Sequence, residues 1–283
     1  VSRGATPGQA LDKKKLEALY ERYNRKEYLH PDPLEFLYNY EDDRDREIVG
    51  LIASALAYGR VAQIVKSVAA VLDRMPSPRA FLERSSPDRM RRSFADFRHR
   101  FTTGEELAAV LLGAKRVIER YGSLRRCFAG GLIAGDDTVL PALSAFVAEL
   151  TDDAGGAGWS LLPLPGRGSA CKRLHLFLRW MVRRDEVDPG GWDEVPRAKL
   201  IVPLDTHMHR IGRHLGLTGR KQADLRAALE TTRAFRTIRP DDPVRYDFAL
   251  SRLGIRADAD LTGFLCDYGR PLKRGEALRK TAL

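Results

Sequence analysis

Apolar side chains recur almost throughout this chain at helical spacing and almost nowhere at strand spacing. The segment "LDKKKLEALYERYNRKEY" places Leu16, Leu19, Tyr20 and Tyr23 at i, i+3, i+4 and i+7 with charges between them, which predicts a helix with one buried face. "PDPLEFLYNY" follows, with Pro33 suited to a first turn. "DRDREIVGLIASALAYG" is largely apolar from Ile48 to Tyr58 and predicts a buried helix. "RVAQIVKSVAAVLDRM" is amphipathic and stops before Pro76, and "MRRSFADFRHRF" interleaves Arg and Phe. "TGEELAAVLLGAKRVIERYG" opens on acids and ends on Gly, and "TVLPALSAFVAEL" comes next. Further helices are expected over residues 169–184, from Asp205 onward, over "KQADLRAALETTRAF", and over "DDPVRYDFALSRLG", where Asp242 suits a cap and Pro243 a first helical residue. The only β-like run is "KLIVPL". The pattern therefore predicts an all-α fold of about ten helices.

Residues 152–168, "DDAGGAGWSLLPLPGRG", are rich in Gly and Pro and form the clearest break, a boundary between two lobes of one domain. Hydrophobic residues make up 43% and charged residues 30% of the chain, which excludes a disordered class. No apolar run approaches the roughly 18–20 residues of a membrane span, and the start lacks an apolar signal core. A cytoplasmic protein without a membrane partner is expected. Cys127, Cys171 and Cys266 lie too far apart for a disulfide framework or a metal motif. The formal charge is +10 and the pI about 9.7. Such a balance favours polyanions, whose counterions are released on contact, although an arginine-rich composition alone gives the same numbers.

Two stretches carry the chemistry. In "LPLPGRGSACKRLHLFLRW", Gly166, Arg167 and Gly168 form a Gly-x-Gly turn before a helix that carries Lys172. Glycines permit a tight turn, and amides exposed at a helix start attract phosphate. Leu174, Phe177, Leu178 and Met181 fall on one face, and Lys172, His175, Arg179 and Arg183 on the other. That second face reads equally as a solvated basic surface or as a reactive one. Like charges at Arg173, Arg179 and Arg183 favour a neutral, nucleophilic Lys172. In "LIVPLDTHMHRIGRHLG", Asp205 stands at an N-cap position, where the amide of His207 or Met208 can donate to it. A plain cap and an oriented catalytic carboxylate are both consistent with that position. His207 and His209 are two apart and point to different sides of a helix, so no metal site is expected.

Together, "LPGRG", a helix, and the start "PLDTH" followed by "RIGRHLGLT" resemble the helix-hairpin-helix DNA glycosylase superfamily. The resemblance spans roughly residues 33–75 and 160–217. It implies a two-lobed helical fold over residues 1–283 with a cleft between the lobes, and the hairpin and catalytic helices at 160–217. "DREIVGLIASALAYGR" resembles the family's early helix, which leads to a loop wedged into DNA, with Leu56 at the wedge position. The segment between Lys172 and Asp205 is long, similar to the archaeal 8-oxoguanine glycosylase branch. The whole chain most closely resembles a bacterial domain-of-unknown-function family related to these enzymes.

What the resemblance implies is a base-excision repair glycosylase with AP-lyase activity. Its partner would be double-stranded DNA containing a damaged base, such as an oxidised purine. Lys172 and Asp205 would be catalytic, with Lys199 the other candidate nucleophile. Gly166, Arg167, Gly168 and His207 would hold the DNA backbone. Trp180, Trp159 or Phe177 would stack on the flipped base, unless they are core residues. A monomer without cofactor or metal, associated with the nucleoid, is expected. Two alternatives are a non-catalytic DNA- or RNA-binding module on the same scaffold and a monofunctional glycosylase.

Overall fold

The helical periodicity is realised nearly segment by segment. A computed structural model describes residues 11–151, 160–255 and 261–266. The helices are α1 (Lys13–Tyr23), α2 (Asp43–Ala55), α3 (Val61–Leu72), α4 (Pro78–Arg84), α5 (Pro87–Ser93), α6 (Gly104–Tyr121), α7 (Leu124–Gly130), α8 (Leu140–Thr151), α9 (Lys172–Val182), α10 (Thr206–His214), α11 (Leu225–Arg236), α12 (Asp247–Ile255) and α13 (Leu261–Cys266). Residues Pro33–Asn39 form a 3-10 turn capped by Asp32. The protein is thus mostly helical, and among the described residues the one sheet is a small antiparallel hairpin, β1 (Arg98–His99) and β2 (Thr102–Thr103).

Local chemistry sets many of the ends. Thr103 and Glu106 form a reciprocal capping box at the start of α6, and Gly122 closes it in the left-handed region at φ 87°. Asp42 and Asp224 cap α2 and α11 through backbone amides. Two expectations fail here. "FRHRF" is a hairpin rather than a helix end, because two-residue strands are too short to leave a period in the sequence. Asp242 does not cap a helix at Pro243. The chain turns through residues 243–246, α12 begins at Asp247, and the Asp242 carboxylate accepts from Arg183 Nε at 3.1 Å. Within "KLIVPL", Lys199 ends a 3-10 turn and Leu200–Leu204 are buried but pair with no strand among the described residues; Val202 N donates to Thr232 Oγ1 at 3.0 Å instead.

One apolar cluster runs through α1, α2, α6, α8, α9 and α12. Each large side chain fully buried in it contributes about 1.5–3 kcal/mol. Its centre is the crossing of α2 and α9. Gly50 makes that approach possible: a Cβ there would lie 3.1 Å from Met181 Sδ and 3.4 Å from the Phe177 ring. Phe177 stacks on Phe146 and meets Trp192 edge-on at 5.1 Å. It is therefore core and not available to a ligand, which corrects one of the stacking assignments.

The charged face predicted for α9 is not a surface. His175, Arg179 and Arg183 are all buried. Arg179 bonds Asp188 at 3.2 Å and Asp247 at 2.5 Å, and Arg183 bonds Asp188, Asp242 and Asp185. Burial opposes the charge on Arg183, but Asp188, Asp242 and Asp185 outweigh it and hold its pKa above the usual arginine value. This network locks α9 to the loop after it and to α12. It also takes Arg179 and Arg183 out of the expected crowding of Lys172, since both are matched by carboxylates, whereas Arg173 donates to the carbonyls of Ala55 and Ser160.

Candidate active site

The first residue of α9 is Lys172, and the residue before α10 is Asp205. The buried run Leu200–Leu204 delivers Asp205 to that place. Asp205 Oδ1 accepts from Met208 N at 2.8 Å, the expected cap. This bond turns the other oxygen outward, and Oδ2 lies 3.7 Å from Lys172 Nζ. Both side chains are about one-third exposed, so the pair sits at an opening rather than in the core. One carboxylate oxygen is thus committed to structure, and the other is available beside an amine.

Lys172, Asp205 and His207 line the walls of two adjoining cavities. The inner one has a volume of about 220 Å³ and is walled by Trp180, Leu176, Phe248 and Ile64, with two ion pairs, Arg179–Asp247 and Arg252–Asp32. Burial pushes the Asp247 carboxyl up, against the pull of Arg179. The outer cavity, about 560 Å³, is walled by Tyr58, Gly59, Ser169, Arg173 and Thr206. The result is an apolar recess with a few convergent polar groups and the Lys172–Asp205 ion pair at its mouth, the usual form of a small-ligand site.

The structure brings together Lys172, Asp205, His207 and Trp180. Trp180 is 1% exposed, and its indole N–H has no hydrogen-bond partner among the described residues. Trp159 lies outside the described residues. Gly166, Arg167 and Gly168 are exposed, and Gly168 has φ +80° with open space around it. The turn is anchored to α11 through Leu225 N, which donates to Gly168 O at 3.0 Å. Its amides are less free than expected: Arg167 N donates to Leu164 O and Gly168 N to Pro165 O, within a 3-10 turn.

Two sequence-based assignments fall away, those of Leu56 and Lys199. Leu56 is fully buried and presents nothing to a cleft. Lys199 is held elsewhere, its Nζ donating to Ile133 O and Ala134 O at 2.9 and 3.0 Å. His209 turns inward and bonds Arg220 O at 3.0 Å. The sequence reading in turn missed Asp32, Asp247, Phe248 and Arg252. Asp32 showed only as a residue before Pro-Leu, and the other three lie on a helix whose start was misplaced.

No helix among the described residues is long and apolar enough to cross a membrane. No curated protein and no solved structure matches the chain. A family described as "Protein of unknown function (DUF2400)" matches residues 32–256, a span that contains every residue lining the two cavities. The chain belongs to the DUF2400 family.

Proposed function

We propose that this protein is a DNA base-excision glycosylase with AP-lyase activity, built on a two-lobed scaffold like that of the helix-hairpin-helix glycosylases. The observation that carries this is the Lys172–Asp205 pair, 3.7 Å apart at the mouth of an apolar recess. A base within a duplex is inaccessible, so the nucleotide must be extruded into a pocket. The inner cavity suits a flat heterocycle with polar edges, such as an oxidised purine. Trp180 and Phe248 supply apolar wall, and Arg252–Asp32 and Arg179–Asp247 supply donors and acceptors.

The chemistry follows from the residues. The Lys172 amine, having lost its proton, attacks C1′ as the bond to the base breaks. The base leaves with that electron pair and is protonated. The sugar ring opens to an imine on Lys172, and β-elimination then expels the 3′ phosphate. Asp205, fixed by Met208 N, either stabilises as a carboxylate the positive charge developing on the sugar or takes the proton from the amine. The net charge of +10, the exposed Gly166–Gly168 turn with Arg167, and His207 at the cavity wall favour contact with the phosphate backbone.

The test is incubation with a panel of lesion-bearing duplexes in borohydride. Wild type should be trapped covalently on at least one duplex. Lys172→Gln should bind but not be trapped or cut the strand, and Asp205→Asn should lose base release by orders of magnitude while staying folded. Base release without trapping would make the protein a monofunctional glycosylase in which Asp205 activates water. No base release from any duplex by wild type would leave a binding module and refute the enzyme.

A further inference from the structure

Phe101 has no role in the site described above. Its side chain is 82% exposed, at the tip of the β1–β2 hairpin. The hairpin beneath it is tightly held. The Tyr58 hydroxyl donates to His99 O at 2.8 Å and accepts from Thr102 Oγ1 at 2.7 Å. The buried His99 ring meets Tyr58 edge-on, donates through Nε2 to Tyr58 O at 3.0 Å, and accepts through Nδ1 from Ser67 Oγ at 2.9 Å. A rigid base carrying a bare aromatic tip is the opposite of a frayed loop.

The tip also leads directly to the site. Arg100 has a left-handed backbone at φ 52°, as the first position of a tight two-residue hairpin turn requires. Its guanidinium lies over the Tyr58 ring at 5.9 Å and over the Phe101 ring at 5.5 Å. Its side chain fills the space beside Gly59, where an added Cβ would meet Arg100 Cδ at 2.7 Å. Tyr58 and Gly59 are walls of the cavity that holds Lys172 and Asp205. Phe101 is thus one residue removed from the wall of the site, and the exposed cations Arg98 and Arg100 precede it on the same hairpin.

We propose that Phe101 intercalates into duplex DNA beside the nucleotide presented to the Lys172–Asp205 cavity, with Arg98 and Arg100 facing the flanking phosphates. Extrusion of a nucleotide leaves a gap between apolar base faces. An aromatic ring inserted there restores stacking and holds the extruded state open. An aromatic plane accepts any base, so this contact adds affinity without adding sequence preference. The inference rests on the DNA reading of the site.

The experiment uses the full chain and a duplex with 2-aminopurine in place of the target base, whose fluorescence rises when it leaves the stack. Wild type and Phe101→Trp should raise the signal. Phe101→Ala should keep the wild-type melting temperature, bind on the order of 10-fold more weakly, and lose most of the rise even at saturation. Duplex binding with an equal rise in wild type and Phe101→Ala overturns the inference and leaves the glycosylase reading standing. A rise that depends on Phe101, with no base released from the lesion panel, supports the inference and overturns the glycosylase chemistry. No duplex binding by wild type overturns both.

Discussion

The two ends of α9 use the same ingredients for opposite purposes. At its start, Lys172 faces Asp205 at 3.7 Å with about one-third of each side chain exposed. Toward its end, Arg179 and Arg183 meet Asp188, Asp247 and Asp242 at 2.5–3.2 Å or closer, with every one of these groups nearly or wholly out of water. Dense pairing in the interior fixes geometry, because any partner removed leaves a charge that water cannot reach. A looser pair at an opening fixes little and stays able to react. Burial and partner count, and not residue type, separate the buried cations of this helix from the partly exposed one at its start.

The sharpest way to break that contrast is to remove Asp188, which serves both buried arginines. Asp188→Ala should destabilise by about 3–5 kcal/mol, as for other broken buried pairs, and urea unfolding would read it. Lys172→Gln, on the same helix, should shift stability by no more than about 0.5 kcal/mol. Equal costs for the two substitutions would mean that Lys172 is as structural as the arginines.

Next in size is a carboxylate that combines both settings. Glu47, like Asp205, serves a helix start, its two oxygens accepting from Leu124 N and Arg125 N at the head of α7. Unlike Asp205 it is 2% exposed, and burial raises its pKa to about 7 against the pull of those amides. Between its unfolded value near 4.5 and about 7, the native state holds a proton that the unfolded chain has released. This stabilising contribution is present at low pH and is lost as pH rises through 7, at no more than about 1.4 kcal/mol per pH unit. Glu47→Gln cannot titrate, so the stability difference between wild type and this variant should shrink from pH 5 to pH 8. A difference that grows with pH would show that the native carboxylate is stabilised as the anion.

The same contrast explains what the sequence could and could not disclose. Asp205 was legible because a cap is local: the acceptor, the amide of Met208 and the apolar stripe lie within one turn. The acids at the start of α6 and its Gly122 stop were legible for the same reason. The fate of Arg179 and Arg183 was not. A cation opposite an apolar stripe looks identical whether water or a distant aspartate awaits it, and Asp242 and Asp247 lie 59 and 68 residues away. Asp242, read as a cap from the Pro beside it, was claimed by that network. The β1–β2 hairpin was illegible because its strands are two residues long, so its tip, Phe101, showed only as one aromatic among arginines. Lys199, the fallback to Lys172, is held on two carbonyls 65 and 66 residues away, which no local pattern discloses.

The smallest expected effect tests the comparison most finely. If the Lys172–Asp205 pair is kept for chemistry, its coupling in a double-mutant cycle should match an exposed pair, about 0.2–1 kcal/mol, and weaken with added salt. The cycle requires Lys172→Gln, Asp205→Asn and the double variant. Asparagine preserves an oxygen for Met208 N, so the cap survives and does not contaminate the pair term. Asp205→Ala would add the loss of the cap, about 1 kcal/mol, and is the wrong substitution for this purpose. A coupling of several kcal/mol that ignores salt would place the pair with Arg179–Asp247 as a clamp between α9 and α10. A small, salt-sensitive coupling, together with loss of borohydride trapping in Lys172→Gln, would separate what the pair does for the reaction from the little it does for the fold.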